Sequence, residues 1–188
     1  MASKIILGQS PPPDQEFQRI LGIDPRLNVT GYAVLETTNG PSNSIGPRIC
    51  EAGVIRAKTR DSITARVGEI HEGITDVIES LAPTCMALEE LYSHYERPKT
   101  SILMGHARGV ICLAAAQAGI SVSHYSATQV KKVLTGNGRA PKSQIQLAVA
   151  RELQLDKLPE PHDVADALAI ALCHYHLGPR KALLAKQQ

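Results

Sequence analysis

Four acids are set against apolar runs, and their placement restricts this chain more than any other feature. Asp24 closes Ile20-Leu21-Gly22-Ile23, and Glu89 closes Cys85-Met86-Ala87-Leu88. Asp163 and Asp166 stand three apart in Asp163-Val164-Ala165-Asp166-Ala167-Leu168-Ala169. A carboxylate at the end of a strand-like apolar run is costly to bury unless something positive lies beside it. The fold therefore has to bring these acids to cations. Hard divalent cations take oxygen ligands, and pairs of such metals cut phosphodiester bonds. A metal-dependent nuclease is the first functional expectation.

The rest of the pattern supplies the frame. Residues 20–24, 29–35 and 48–57 read as three strands joined by turns, which suits an antiparallel meander. Ile63, Val67, Ile70, Ile74, Val77, Ile78 and Leu81 recur at helical spacing. Short strands are predicted at 86–89 and 120–125, with helices at 99–118, 128–134, 141–153 and 162–176. Pro141 suits a helix start, where a missing N–H does no harm. The order gives an α/β protein with a five-stranded mixed sheet, three strands antiparallel and two parallel, flanked by helices. In such a sheet the first and fourth strands can lie parallel and adjacent. Asp24 and Glu89 would then project from neighbouring C-terminal strand ends, where open α/β sheets commonly bind ligands. Asp163 and Asp166 share one face near a helix start, where the dipole favours negative charge.

With 188 residues the chain can build one full-sized core and hardly two. Residues 1–18, with Pro11-Pro12-Pro13, are expected to form a flexible N-terminal extension. Residues 19–177 make the single domain, and 178–188 a short polar tail. Aromatic residues are only 3% of the chain, so the core has to be aliphatic. Cys50, Cys85, Cys112 and Cys173 are widely spaced and form no C-x-x-C pair, so free thiols in a reducing cytoplasm are expected. No apolar run reaches transmembrane length, and no membrane association is expected.

Each acid also has an ordinary explanation. Asp24 before Pro25 can start a turn, Glu89 beside Glu90 can be a solvated strand end, and Asp163 can cap a helix. Asp166 is harder to explain this way, because its neighbours are small or apolar. Together the four favour a site.

The ordered set Gly22-Ile23-Asp24-Pro25, Val29-Thr30-Gly31-Tyr32, Glu89, Gly105-His106-Ala107-Arg108-Gly109 and Asp163 through Ala171 resembles the RuvC family of bacterial crossover junction endodeoxyribonucleases, within the ribonuclease H-like superfamily. The match runs from about residue 19 to 176. The resemblance implies a ribonuclease H-like fold and a homodimer that nicks two opposed strands of a four-way DNA junction in recombination and repair. It implies two Mg²⁺ per active site, held by Asp24, Glu89, Asp163 and Asp166 as catalytic acids, and products with 5′-phosphate and 3′-hydroxyl ends. It also implies cooperation with the RuvA–RuvB branch-migration complex, and cytoplasmic location.

Three departures stand out. Arg26 occupies a position where the family usually has Gly, and it either contacts a phosphate or points to solvent. Tyr92 replaces a Phe that wedges into the junction; Tyr can still stack on a base. Residues 93–99 depart most.

Lys131, Lys132, Arg139 and Lys142 lie between Gln129 and Gln146 without an intervening acid. A basic stretch of this kind suits phosphate contacts, and equally a solvated surface. The resemblance places DNA-contacting lysines at Lys131 and Lys142. His162 beside Asp163 is a candidate auxiliary residue, with capping or exposure its ordinary role. Gly105 and Gly109 allow close helix approach, within the domain or between chains, and the resemblance puts a dimer contact on their helix. The alternatives are another ribonuclease H-like nuclease acting on RNA or an RNA–DNA hybrid, and a non-catalytic junction-binding module. An actin-like ATPase would need a second similar domain, for which 188 residues leave no room.

Overall fold

The computed structural model of the chain describes residues 4–6, 17–38, 46–91 and 98–185. In chain order the elements are β1 (Lys4–Ile6), β2 (Phe17–Asp24), β3 (Val29–Thr38), β4 (Arg48–Arg56), α1 (Ile63–Leu81), β5 (Cys85–Glu89), α2 (Pro98–Gln117), β6 (Ser121–Tyr125), α3 (Ala127–Thr135), α4 (Lys142–Glu152) and α5 (His162–Ala185). One sheet runs β1-β4-β3-β2-β5-β6. The β2–β3–β4 meander is antiparallel, and β5 and β6 add parallel to β2. The expected five-stranded mixed sheet is present in the expected order.

The sheet separates two aliphatic cores. Leu21, Ile23, Tyr32 and Val34 point to one face, where α1 brings Ile70 and Ile74 and α2 brings Ala107 and Ile111. Ile20, Ala33, Leu35 and Ala87 point to the other, covered by α3, α4 and α5 through Val130, Ile145, Val149 and a buried stretch from Val164 to Cys173. The helix boundaries have local causes. Ser62 Oγ accepts from the Ala65 N–H at the start of α1, and Gly136 closes α3 in a left-handed conformation at φ 76°.

Two boundaries differ from the sequence expectation. Within residues 1–18, β1 forms a sixth strand, antiparallel to β4, and β2 already begins at Phe17. At the other end α5 runs past residue 177 to Ala185. Gly178, expected to open the polar tail, lies inside α5, where a β-carbon would meet the His174 ring at 2.8 Å. The four cysteines are free, two of them buried. No helix among the described residues is long and apolar enough to cross a membrane.

Candidate active site

Strand pairing brings the first two acids together. In the parallel β2–β5 ladder, Gly22 faces Ala87 and Ile23 faces Leu88. The next step carries Asp24 and Glu89 to adjacent strand ends. Side chains alternate across a strand, so Asp24 falls on the same face as Ile20, and Glu89 on the same face as Cys85 and Ala87. That face is the one α5 covers.

Two glycines let α5 come close enough to add the other pair. A β-carbon on Gly31 would lie 2.1 Å from the Asp163 carbonyl oxygen, and one on Gly22 would lie 2.4 Å from that of Ala167. Both obstacles are backbone, so the contact admits no side chain. The first turns of α5 therefore rest directly on β2 and β3. Asp163 and Asp166, on one helix face, project over the strand ends.

One cation joins three of the four acids. Arg26 Nε lies 3.0 Å from Asp24 Oδ2, Nη1 lies 3.6 Å from Asp163 Oδ1, and Nη2 lies 3.5 Å from Asp166 Oδ2. Lys142, at the start of α4, reaches the same Asp166 oxygen at 3.1 Å. Asp24 is 1% exposed, yet neither of its carboxylate oxygens has a hydrogen-bond partner; the Arg26 approach meets ion-pair distance without hydrogen-bond geometry. Burial pushes its carboxyl up to about 8, partly offset by Arg26 and reinforced by the charges of Glu89 and Asp166. Burial also raises Glu89. Two neighbouring acids at strand ends thus resist ionising together unless more positive charge arrives.

The donor set fits hard divalent cations. It consists of carboxylate oxygens, and those of Asp24 are buried with hydrogen-bonding capacity unused. Mg²⁺ keeps several waters and needs only one or two protein carboxylates. Among the described residues no three Asp, Glu, His or Cys side chains are yet gathered for a single ion, with the Arg26 guanidinium standing among three of the acids.

Comparison with known proteins decides the family. The sequence profile described as "Crossover junction endodeoxyribonuclease RuvC" matches residues 20–174. The chain belongs to the RuvC family. The crossover junction endodeoxyribonuclease RuvC of Rhodopirellula baltica is 60% identical over 85% of this chain and 86% of its own. That of Moorella thermoacetica is 41% identical over 85% of this chain and 92% of its own. The solved structure of Thermus thermophilus RuvC superposes with a TM-score of 0.78 at 32% identity, covering 87% of this chain and 97% of that one. A second Thermus structure, RuvC in complex with a Holliday junction substrate, matches with a TM-score of 0.75 at 29% identity, covering 87% of this chain and 96% of that one. These matches bear out the ribonuclease H-like architecture expected of the family.

The other residues singled out from sequence divide into groups. Lys131 and Lys142 line a pocket of about 170 Å³ beside the acids, together with Arg26, Glu89 and Asp166. Lys132 and Arg139 are exposed and do not line it. His162 is exposed, and its ring hydrogen-bonds Gln146 on α4 at 2.9 Å. Tyr92 lies outside the described residues. Sequence reasoning missed what Arg26 does. It also missed Gly22 and Gly31 as the seats of α5, although both stand in the motif by which the family was recognised.

Proposed function

We propose that the chain is a structure-selective endonuclease that resolves four-way DNA junctions by paired, symmetric nicks. Its proposed catalytic acids are Asp24, Glu89, Asp163 and Asp166, which would hold two Mg²⁺. The observation that carries this is the buried Asp24 carboxylate, with no hydrogen-bond partner, where two strand ends and the start of α5 converge. A fold that gains nothing from a buried unsatisfied acid keeps one where a ligand completes it. When bound, the metal ions supply an activated water and stabilise the leaving oxygen, giving 5′-phosphate and 3′-hydroxyl ends.

The chain's own residues do the rest. Asp24 and Glu89 would hold the ions from the strand ends, and Asp163 and Asp166 from the start of α5. Lys131 and Lys142 line the pocket and would position a phosphate backbone there, with Lys132 and Arg139 extending the contact. Tyr92 is proposed to stack on a junction base.

Two symmetric nicks need two sites, so the working unit is a two-fold homodimer. Support comes from α2. A β-carbon on Gly105 or Gly109 would meet nothing within 4 Å, and on the same helix Ile102 and Leu113 are 61% and 50% exposed. No intramolecular neighbour among the described residues uses these glycines. Cytoplasmic location and cooperation with a RuvA–RuvB branch-migration complex complete the proposal.

The test is cleavage of a synthetic mobile four-way junction in Mg²⁺, with linear duplex and an RNA–DNA hybrid as controls. Paired symmetric nicks in the junction alone are expected, and loss of cutting in Asp24→Asn. Cutting of the hybrid would move the protein to a ribonuclease H-type activity. Tight junction binding without any cutting would make it a binding module.

A further inference from the structure

Arg26 engages all three guanidinium nitrogens with carboxylates drawn from distant parts of the chain: Asp24 on β2, and Asp163 and Asp166 on α5. Its backbone is pinned, because Thr30 Oγ1 donates to the Arg26 carbonyl at 2.6 Å. Its side chain is 46% exposed. The guanidinium can therefore swing outward without disturbing the core, while its attachment point stays still.

We propose that Arg26 is a resident counterion of the acid cage, which a divalent cation has to displace in order to bind. The proposal rests on the metal-dependent reading of the site given above. A guanidinium does not lose its proton at any ordinary pH, so it cannot be neutralised in place. A divalent ion among the same acids would stand a few ångströms from a fixed positive charge, and the two exclude each other.

Two consequences for metal affinity oppose one another. Arg26 gathers the acids, which favours the metal, and it fills their midst, which disfavours it. The packing settles the balance. Asp24 sits at the end of a paired strand, and Gly31 and Gly22 clamp α5 against the sheet at backbone contact. The acids are thus held by the fold whether or not Arg26 is present, and competition dominates. Once displaced, the guanidinium lies at the pocket it already helps to line, beside Lys131 and Lys142. Metal entry thereby turns an internal ion pair into an added cation facing the bound polyanion.

The test is calorimetric titration of Mn²⁺ into the DNA-free wild type, Arg26→Ala and Arg26→Lys, with thermal unfolding of each protein with and without Mn²⁺. Arg26→Ala is expected to bind Mn²⁺ about tenfold tighter than the wild type, about 1.4 kcal/mol. Its Tm without metal should be lower, and its rise on adding Mn²⁺ larger. Arg26→Lys, which restores one charge without the planar fork, should fall between the two in both measurements. Equal or weaker Mn²⁺ affinity in Arg26→Ala, with the wild type binding normally, overturns the counterion role and leaves the metal site standing. If none of the three binds Mn²⁺, the metal site and the counterion role fall together.

Discussion

Two polar groups are buried under the same helix, and the fold treats them in opposite ways. His174, near the middle of α5, has both ring nitrogens engaged: Nδ1 with the Tyr125 hydroxyl at 2.9 Å and Nε2 with Cys85 Sγ at 3.3 Å. Asp24, under the start of α5, has neither carboxylate oxygen hydrogen-bonded. Burial costs both groups their hydration; the histidine recovers it through two hydrogen bonds, whereas Asp24 is left with the Arg26 ion pair and a crowded neighbour in Glu89. A saturated buried group is part of the architecture. An unsaturated one at a convergence of acids has capacity left for a ligand, which is what the proposed metal site would use.

That contrast predicts opposite responses to mutation. Asp24→Asn should lower junction cleavage by more than about 100-fold, because loss of even an outer partner of a metal ligand costs about 10- to 100-fold and Asp24 is proposed as a direct ligand. The same change should stabilise the metal-free protein at pH 8 by about 1–3 kcal/mol, since a neutral amide escapes the burial cost of the charge. Denaturant unfolding in EDTA checks the second half, and a destabilised Asp24→Asn would erase the contrast.

Gly31→Ala should come next. A β-carbon 2.1 Å from the Asp163 carbonyl pushes the start of α5 off the sheet. Misplacement of about 1 Å costs roughly 100-fold in rate, and the overpacking costs about 1–3 kcal/mol of stability. Single-turnover junction cleavage and thermal unfolding on one preparation would register both losses.

His174→Ala should do the reverse of Asp24→Asn. It removes a partner from Tyr125 and Cys85 and leaves a cavity, at a cost of about 2–4 kcal/mol. Cleavage per folded molecule should remain near that of the wild type, as measured by single-turnover cutting below the variant's melting range.

The pH dependence sharpens the same point. Asp24 has a folded pKa of about 8, raised from 3.8. Below the unfolded value both states hold the proton, and this group's contribution to stability is fully present. As the pH rises toward 8 the unfolded state releases the proton first, and the contribution is lost. The metal-free protein should lose about 2–3 kcal/mol between pH 4 and pH 8, less than the full shift implies because Glu89 shares the charge. Saturating Mg²⁺ should flatten the slope, and urea titrations with and without the ion would reveal it.

Lys142→Ala should give the smallest effect. Lys142 is 62% exposed in its pair with Asp166, so its contribution to stability is about 0–1 kcal/mol. Junction binding should weaken severalfold, and its logarithmic salt slope should fall by about one. An unchanged slope would remove Lys142 from the DNA surface.

Much of the frame was legible in the sequence because its signals are local. Helix periodicity from Ile63 to Leu81 and the short apolar runs before Asp24 and Glu89 gave each element its type and approximate ends. The acids could be picked out because a charge inside an apolar run conflicts with its neighbours, and that conflict is visible in one dimension. The role of Arg26 was not, because Asp166 lies 140 residues away in the chain. A sequence offers phosphate or solvent as partners for such a side chain, and only the seating of α5 replaces both with carboxylates. Gly178 misled for a related reason: its lack of a side chain accommodates His174 and does not end the helix. β1 escaped notice because three residues show no period, and edge pairing to β4 gives them their strand.

The seating of α5 on Gly31 and Gly22 also has a consequence for timing. Asp24 and Glu89 leave the ribosome long before Asp163 and Asp166, and the acids converge only when the final helix docks. Domains assemble as units once their last element is available. A nascent or truncated chain lacking α5 would therefore carry half a cage and could not hold the proposed pair of ions. On the proposed function, the order of synthesis would withhold cutting until the chain is nearly finished.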